Sequence, residues 1–262
     1  MGTGLGRWTR VAVGAAVGVI AATPASAEWR EARSRHFTVY SEGKEADLRE
    51  TATRLEQFDA LIRLLSANAT VEADQTANPL TVYVVDDIAA VRRLYGKGGS
   101  NVGGFYVPRA DSSVAFTPRY TSDDDFTGQL VLFHEYAHHY LLSNYAAPYP
   151  AWFSEGYAEY MSTVSFTPTT IAFGRPAQHR AASLGGDTFT MSVDRLFTLG
   201  GKRLSDIDTQ QLYARGWLLT HYVMADPVRR KQFGTYLARV GEGMPQREAA
   251  IAGFGDRRLA LG

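Results

Sequence analysis

The residues best able to do chemistry lie in one short segment, HEYAHH, at residues 134–139. Within it His134 and His138 are four residues apart, so on a helix both imidazoles lie on one face, about one turn apart. Two neutral imidazole nitrogens placed in this way can bind a single zinc ion. Glu135 directly follows the first histidine, where its carboxylate can take a proton from a water molecule held by the metal. The segment therefore predicts a Zn²⁺ site with Glu135 as the general base.

The alternative for this segment is a surface helix whose histidines are merely solvated. The helix expected around it is apolar, with Leu130, Phe133 and Leu141 available for packing, and this argues against the alternative. His139 lies about 100° around the helix from His138, so we expect it to be a neighbour of the site rather than a ligand.

A second segment, WFSEGYAEY at residues 152–160, offers the further ligand that a catalytic zinc ion needs. Glu155 lies 17 positions after His138, beyond a proline-containing loop at 144–150 that lets the chain turn back. We therefore expect Glu155 to be the third ligand. Glu159, one turn further on, can accept a hydrogen bond from a ligand imidazole and fix its tautomer. The many aromatic residues of this segment argue against the alternative, in which both glutamates are solvated charges on a surface helix.

HEYAHH followed by WFSEGYAEY resembles the gluzincin metallopeptidases, the thermolysin and aminopeptidase N superfamily. The closest likeness is to small secreted bacterial peptidase MA-like domains, and it extends from about residue 29 to 240, although only the metal motifs are specific. The resemblance implies that His134, His138 and Glu155 bind zinc. It also implies that Glu135 is the general base in the hydrolysis of peptide bonds.

The same resemblance includes Tyr-Ala-Arg-Gly at residues 213–216. Aminopeptidase N-like enzymes have a Tyr-x-x-Gly at the start of a helix that follows the zinc site. This implies that Tyr213 donates a hydrogen bond to the oxyanion and that Gly216 permits close packing. His221 is the competing donor, since thermolysin-like enzymes use a histidine in this role, and a tyrosine that only packs in the core is the simpler alternative.

One feature of aminopeptidases is missing from the chain. The Gly-x-Met-Glu-Asn motif that holds a free amino group is absent, and the corresponding region reads GGFYVPRADSSVAF at residues 103–116. This departure favours an endopeptidase over an aminopeptidase. We expect the strand Val114, Ala115 and Phe116 to be the edge of the sheet, where an extended peptide substrate could add as a further strand.

The helices and strands predicted around these residues indicate an α+β fold. It consists of a small twisted N-terminal sheet with helices, the HExxH helix and a C-terminal helical lobe. Strands are predicted at residues 36–40, 80–85, 103–107 and 113–116. Helices are predicted at residues 44–66, 87–95, 124–143, 151–162, 209–225 and 227–240. Residues 163–208 carry no clear motif, and no closing helix is predicted after residue 240. We expect one domain, 28–262, whose sheet lobe (28–143) and helical lobe (144–262) enclose the zinc cleft.

The first 27 residues have the layout of a secretory signal peptide. Arg7 and Arg10 precede an apolar run at 11–22, and the small residues Ala25-Ser26-Ala27 form a cleavage site. The apolar run is short for a membrane span, which needs about 20 residues. We therefore expect an exported protein, periplasmic or extracellular, with no stable membrane span after cleavage; an uncleaved anchor is the alternative.

Composition narrows the classes of function further. The chain has 262 residues, with 27 basic and 27 acidic side chains, and contains no cysteine. The absence of cysteine excludes thiolate zinc sites, cysteine nucleophiles and disulfides. A formal net charge of zero argues against nucleic acid as the main partner. The expected partner is a peptide or protein substrate, while the oligomeric state is left open.

Two other functions remain compatible with these motifs. The first is a catalytically idle zinc-binding domain that binds peptide or cell-envelope partners; the presence of Glu135 argues against it. The second is a zinc hydrolase that acts on a bond other than a peptide bond.

Overall fold

A mixed sheet forms the N-terminal part of the computed structural model, which describes residues 28–66, 80–99, 101–144, 149–185, 191–199 and 204–255. The expected signal peptide, residues 1–27, lies outside the described residues. The sheet has five strands in the order β1-β2-β3-β5-β4. They are β1 (Arg30–Arg33), β2 (Phe37–Ser41), β3 (Leu80–Asp87), β4 (Phe105–Val107) and β5 (Ser113–Tyr120). Strands β2, β3 and β5 are parallel, while β1 and β4 pair antiparallel at the two edges.

Helices pack against the sheet and build the rest of the fold, so the chain is α+β, as predicted. The helices are α1 (Glu45–Leu65), α2 (Ile88–Tyr95), α3 (Gly128–Asn144), α4 (Ala151–Ser162), α5 (Gln178–Leu184), α6 (Val193–Leu196), α7 (Asp206–Met224), α8 (Pro227–Gly241) and α9 (Gln246–Phe254). A two-stranded hairpin, β6 (Ser165–Phe166) and β7 (Ile171–Ala172), follows α4.

Helix α3 is held against the sheet side of the core by aromatic packing. Phe133 of α3 stacks on Phe58 of α1, with ring centroids 4.2 Å apart, and Tyr136 lies edge-on to Phe37 of β2 at 5.2 Å. All four side chains are buried. Because α3 carries both histidines of the HExxH segment, this packing fixes their position relative to the sheet.

Helices α4 and α7 touch backbone to backbone at two glycines. A Cβ at Gly156 would meet the carbonyl group of Gly216 and come within 2.6 Å of Thr220 Oγ1. A Cβ at Gly216 would lie 2.5 Å from the carbonyl oxygen of Trp152. The close packing expected at Gly216 is therefore present, and its partner in the WFSEGYAEY segment is the glycine that follows Glu155.

The structure corrects the expected position of the sheet edge. Val114, Ala115 and Phe116 belong to β5, whose two sides are occupied by β3 and β4. They cannot accept a peptide as an added strand, because their backbone groups already pair on both sides. The edge strand is β4, which pairs only with β5 among the described residues. The prediction was wrong because β4 lies at the edge of the sheet and β5 lies inside it. The alternating sequence pattern does not define this strand order.

Two helix predictions also need correction. Helix α3 begins at Gly128 rather than 124, since Asp123 Oδ1 accepts a hydrogen bond from the Asp125 backbone N–H and Thr127 Oγ1 accepts one from that of Leu130. Short polar side chains thus bind nearby backbone and delay the helix. A closing helix, α9, does exist, and its buried residues Ala249 and Ala250 pack in the main core.

The contact between the two glycines predicts that a single added methyl group lowers the stability of the fold. Gly216→Ala should lower the free energy of unfolding by about 1–3 kcal/mol, because the new Cβ overlaps the backbone of α4. Gly234→Ala is the control: it lies in α8, where an added methyl group would have no atom within 4 Å. It should raise stability by up to about 1 kcal/mol through helix propensity. Denaturant unfolding followed by circular dichroism would measure both, and an unchanged Gly216→Ala midpoint would contradict the close contact.

Candidate metal centre

Helices α3 and α4 bring three potential metal ligands together. His134 Nε2 lies 3.2 Å from His138 Nε2. Glu155 Oε2 lies 3.4 Å from His134 Nε2 and 3.3 Å from His138 Nε2. The predicted ligand set is therefore one cluster in space, although its members come from two helices.

The spacing of these three atoms can be tested against the geometry of zinc. In a tetrahedral site with bonds of about 2.0–2.1 Å, neighbouring ligand atoms lie roughly 3.3–3.4 Å apart. The observed separations of 3.2–3.4 Å match one face of such a tetrahedron. In addition, Glu155 Oε2 is buried and has no hydrogen-bond partner among the described residues. A buried carboxylate oxygen without a donor is costly, and a cation would satisfy it, so the donor set fits zinc.

The second nitrogen of each histidine also has a neighbour that orients the ring. Glu159 Oε1, the predicted partner of a ligand imidazole, lies 3.5 Å from His134 Nδ1, within ion-pair distance. Ser154 Oγ lies 3.2 Å from His138 Nδ1. With a metal bound, such acceptors beside Nδ1 would favour the tautomer that keeps its proton there and gives Nε2 to the metal. Sequence reasoning missed Ser154, because a serine beside a ligand glutamate carries no pattern of its own.

Carboxylates dominate the electrostatics of the cluster. Burial opposes the protonated form of His134, but the nearby Glu155, Glu159 and Glu135 outweigh it and raise its pKa to about 9. Burial also opposes the charged form of Glu155, but the two histidines outweigh it and hold its pKa well below the ordinary value. The site is thus built around negative charge, which favours a bound cation.

Glu135 lies beside this cluster and lines a cleft of about 360 Å³ together with His134 and Tyr213. Its side chain is buried, and burial raises its pKa above the ordinary value for a glutamate. Gly104, just before the edge strand β4, would place a Cβ within 3.5 Å of Glu135 Cγ. The segment just before β4 therefore lies beside the Glu135 side chain.

Tyr213 comes from the first part of α7 and faces the cluster. Its ring centroid lies 5.7 Å from that of His134, and the guanidinium carbon of Arg180 lies 4.6 Å from the Tyr213 ring centroid. Burial, with the charges of Glu155 and Glu135, raises the pKa of Tyr213 well above its ordinary value. The hydroxyl is therefore protonated at neutral pH and able to donate a hydrogen bond.

His221 and His139 do not belong to the cluster of three potential ligands. His221 Nδ1 lies 3.2 Å from the carbonyl oxygen of Gly174, and its ring lies edge-on to Tyr160 at 5.8 Å; it does not line the cleft. His139 Nδ1 lies 3.2 Å from Tyr106 Oη, and burial lowers the pKa of His139 to about 4. His139 is thus a neutral neighbour on the sheet side of α3.

A second group with potential metal ligands is formed by His36, Glu56 and Asp59. Its oxygens already have donors: Arg63 Nε donates to both carboxylate oxygens of Asp59 at 2.8 Å, and the His36 backbone N–H donates to Glu56 Oε1 at 2.8 Å. Tyr136 Oη also donates to Asp59. With Arg63 supplying the positive charge, this group resembles a structural network more than a set of metal ligands.

A comparison with models of known protein families finds no match to this chain, and a comparison with curated proteins finds none either. Among the described residues, no helix has both the length and the apolar character needed to cross a membrane.

Substitutions in the two groups of potential ligands should affect the zinc content differently. Purified protein should hold about one zinc ion per chain, and Glu155→Gln should remove most of it, because one of three protein ligands loses its charge. Glu56→Gln is the matched control and should leave the zinc content unchanged. Elemental analysis after dialysis would decide. Loss of zinc in Glu56→Gln, with retention in Glu155→Gln, would assign the metal to the other group.

Proposed function

We propose that this chain is a zinc-dependent hydrolase that cleaves peptide bonds as an endopeptidase. The observation that carries the proposal is the triangle of His134 Nε2, His138 Nε2 and Glu155 Oε2, with sides of 3.2–3.4 Å, next to a buried glutamate in an open cleft. Three protein ligands that leave a coordination position open are typical of catalytic rather than structural zinc sites.

His134, His138 and Glu155 would hold the zinc ion, which supplies Lewis acidity toward a carbonyl oxygen and lowers the pKa of water. Glu135 takes the proton of the attacking water, since its carboxylate borders the same cleft. The same carboxylate can then pass that proton to the leaving nitrogen. Tyr213, held protonated by burial, donates to the oxygen on which negative charge develops.

The position of the sheet edge supports an extended peptide as the substrate. Gly103 and Gly104, which directly precede the edge strand β4 (Phe105–Val107), line the same cleft as Glu135. A peptide that adds to this edge as a further strand would gain backbone hydrogen bonds along its length. The scissile bond of such a peptide would then lie beside Glu135. Binding in this way would not require a free amino terminus.

Substitution of the base tests the chemistry without removing the metal. Glu135→Gln should keep its zinc and lose casein hydrolysis by about a hundredfold or more, since the amide cannot accept the proton. Casein digestion would be measured with and without a chelator, alongside the zinc content of each sample. Wild-type protein that binds zinc but digests no casein would instead favour an idle zinc-binding domain, and activity near wild type in Glu135→Gln would assign the base to another residue.

Substitution of Tyr213 tests the oxyanion donor. Tyr213→Phe should leave folding and zinc content unchanged and lower kcat by roughly a hundredfold, with little change in KM. Tyr222→Phe is a matched control, since Tyr222 is also in α7 and also has an arginine over its ring, with Arg229 at 3.7 Å. Equal kcat values for the two variants would show that Tyr213 only packs against the site.

A further inference from the structure

Arg180 of α5 lies behind the metal centre and reaches two of its elements at once. Its side chain is 15% exposed. Arg180 Nη2 and Nε donate to Glu159 Oε1 at 2.9 and 3.3 Å, and Nη1 donates to Gln210 Oε1 on α7. The guanidinium carbon lies over the Tyr213 ring, 4.6 Å from its centroid. One planar group thus contacts both the residue behind His134 and the expected oxyanion donor.

Glu159 needs such a cation. Its side chain is almost fully buried, and its Oε2 has no hydrogen-bond partner among the described residues. Its neighbours at ion-pair distance are Arg180, His134 Nδ1 at 3.5 Å and His179 Nε2 at 4.0 Å. A buried carboxylate that loses its cationic partner is left with an uncompensated charge and is drawn toward water. That movement would remove the acceptor beside the His134 ring.

We propose that Arg180 is a positioning residue of the metal centre: it holds Glu159 in place behind His134 and holds the Tyr213 ring against the cleft. The Tyr213 part of this inference rests on the proposed function, whereas the Glu159 part requires only that the site binds zinc. No sequence motif indicates a role for Arg180. It lies 21 residues after Glu159, in a segment without a recognisable pattern.

The shape of the arginine explains why lysine would not replace it fully. A guanidinium donates in its plane and stacks through its face, so Arg180 can bind Glu159 and cover Tyr213 simultaneously. A lysine ammonium at this position could still pair with Glu159, but it has no flat face to lay on the ring. Lysine and methionine variants therefore separate the two parts of the role.

The first experiment measures zinc affinity by competition with a chromophoric chelator and needs no turnover. Arg180→Met should bind zinc about 10–100-fold more weakly, the usual cost of losing an outer contact of a ligand histidine. Arg180→Lys should stay closer to wild type. Arg195→Met is the control, since Arg195 is half exposed, pairs with Asp208 at 2.7 Å, and neither residue lines the cleft. Zinc affinity within about twofold of wild type in a folded Arg180→Met would overturn the Glu159 part.

The second experiment measures kcat and KM on a quenched fluorogenic peptide taken from a casein site that the wild-type protein cuts. Arg180→Lys should lower kcat by about three- to tenfold with KM nearly unchanged, because Tyr213 is no longer held. In a Tyr213→Phe background the same substitution should have almost no further effect, as expected for residues that act as one unit. An equal loss in both backgrounds would overturn the Tyr213 part.

The two experiments also separate this inference from the proposed function. If zinc-loaded wild-type protein cleaves no peptide while Arg180→Met binds zinc weakly, the proposed hydrolysis fails and the positioning of Glu159 stands. If the wild type cleaves peptide while Arg180→Met and Arg180→Lys match it in zinc affinity and in kcat, the inference about Arg180 fails and the hydrolase stands.

Discussion

The candidate metal centre depends on one close contact, the crossing of α4 and α7 at Gly156 and Gly216. Helix α4 must lie against α3 to bring Glu155 to the two histidines, and it must lie against α7 to bring Tyr213 to the same cleft. Only helices without side chains at the crossing can approach so closely, because a Cβ at Gly216 would lie 2.5 Å from a carbonyl oxygen of α4. The geometry of the site is therefore set by backbone packing as much as by its functional side chains.

Buried charge is the second constraint. Glu135 and Glu159 are buried beside His134, and Glu155 completes the group with a side chain that is 24% exposed. Buried carboxylates need positively charged partners, and the described residues supply only some of those partners. Arg180 neutralises Glu159 from one side, while Glu155 Oε2 is left without a donor at the point where the two histidine nitrogens converge. The same arrangement would destabilise an ordinary apolar core, and it is the charge distribution that the proposed divalent cation would satisfy.

The face of α3 that points away from the cleft is fixed by a different network. Asp59, buried in α1, accepts hydrogen bonds from Arg63 and from Tyr136, which directly follows Glu135 in the chain. Because this carboxylate is satisfied and its charge is balanced by Arg63, it ties α1 to α3 without requiring a metal. The stacking of Phe58 on Phe133 adds apolar contact along the same interface. A rigid α3 in turn keeps both histidine rings at the spacing that a metal requires.

The sequence by itself placed His134 and His138 on one face of a helix, because a spacing of four residues matches the helical period, and it offered Glu155 as the third candidate ligand. The packing of α4 against α3 then brought Glu155 to the two histidines. The sequence also predicted most helices and the central strands, whose apolar periodicity is strong. Only the tertiary structure decided which strand is the edge of the sheet, because strand order depends on long-range pairing: β4 lies outside and β5 inside. Only the structure brought Arg180 to Glu159 and Tyr213, or paired Gly156 with Gly216. Such contacts join residues far apart in the chain, and no local period or spacing encodes them.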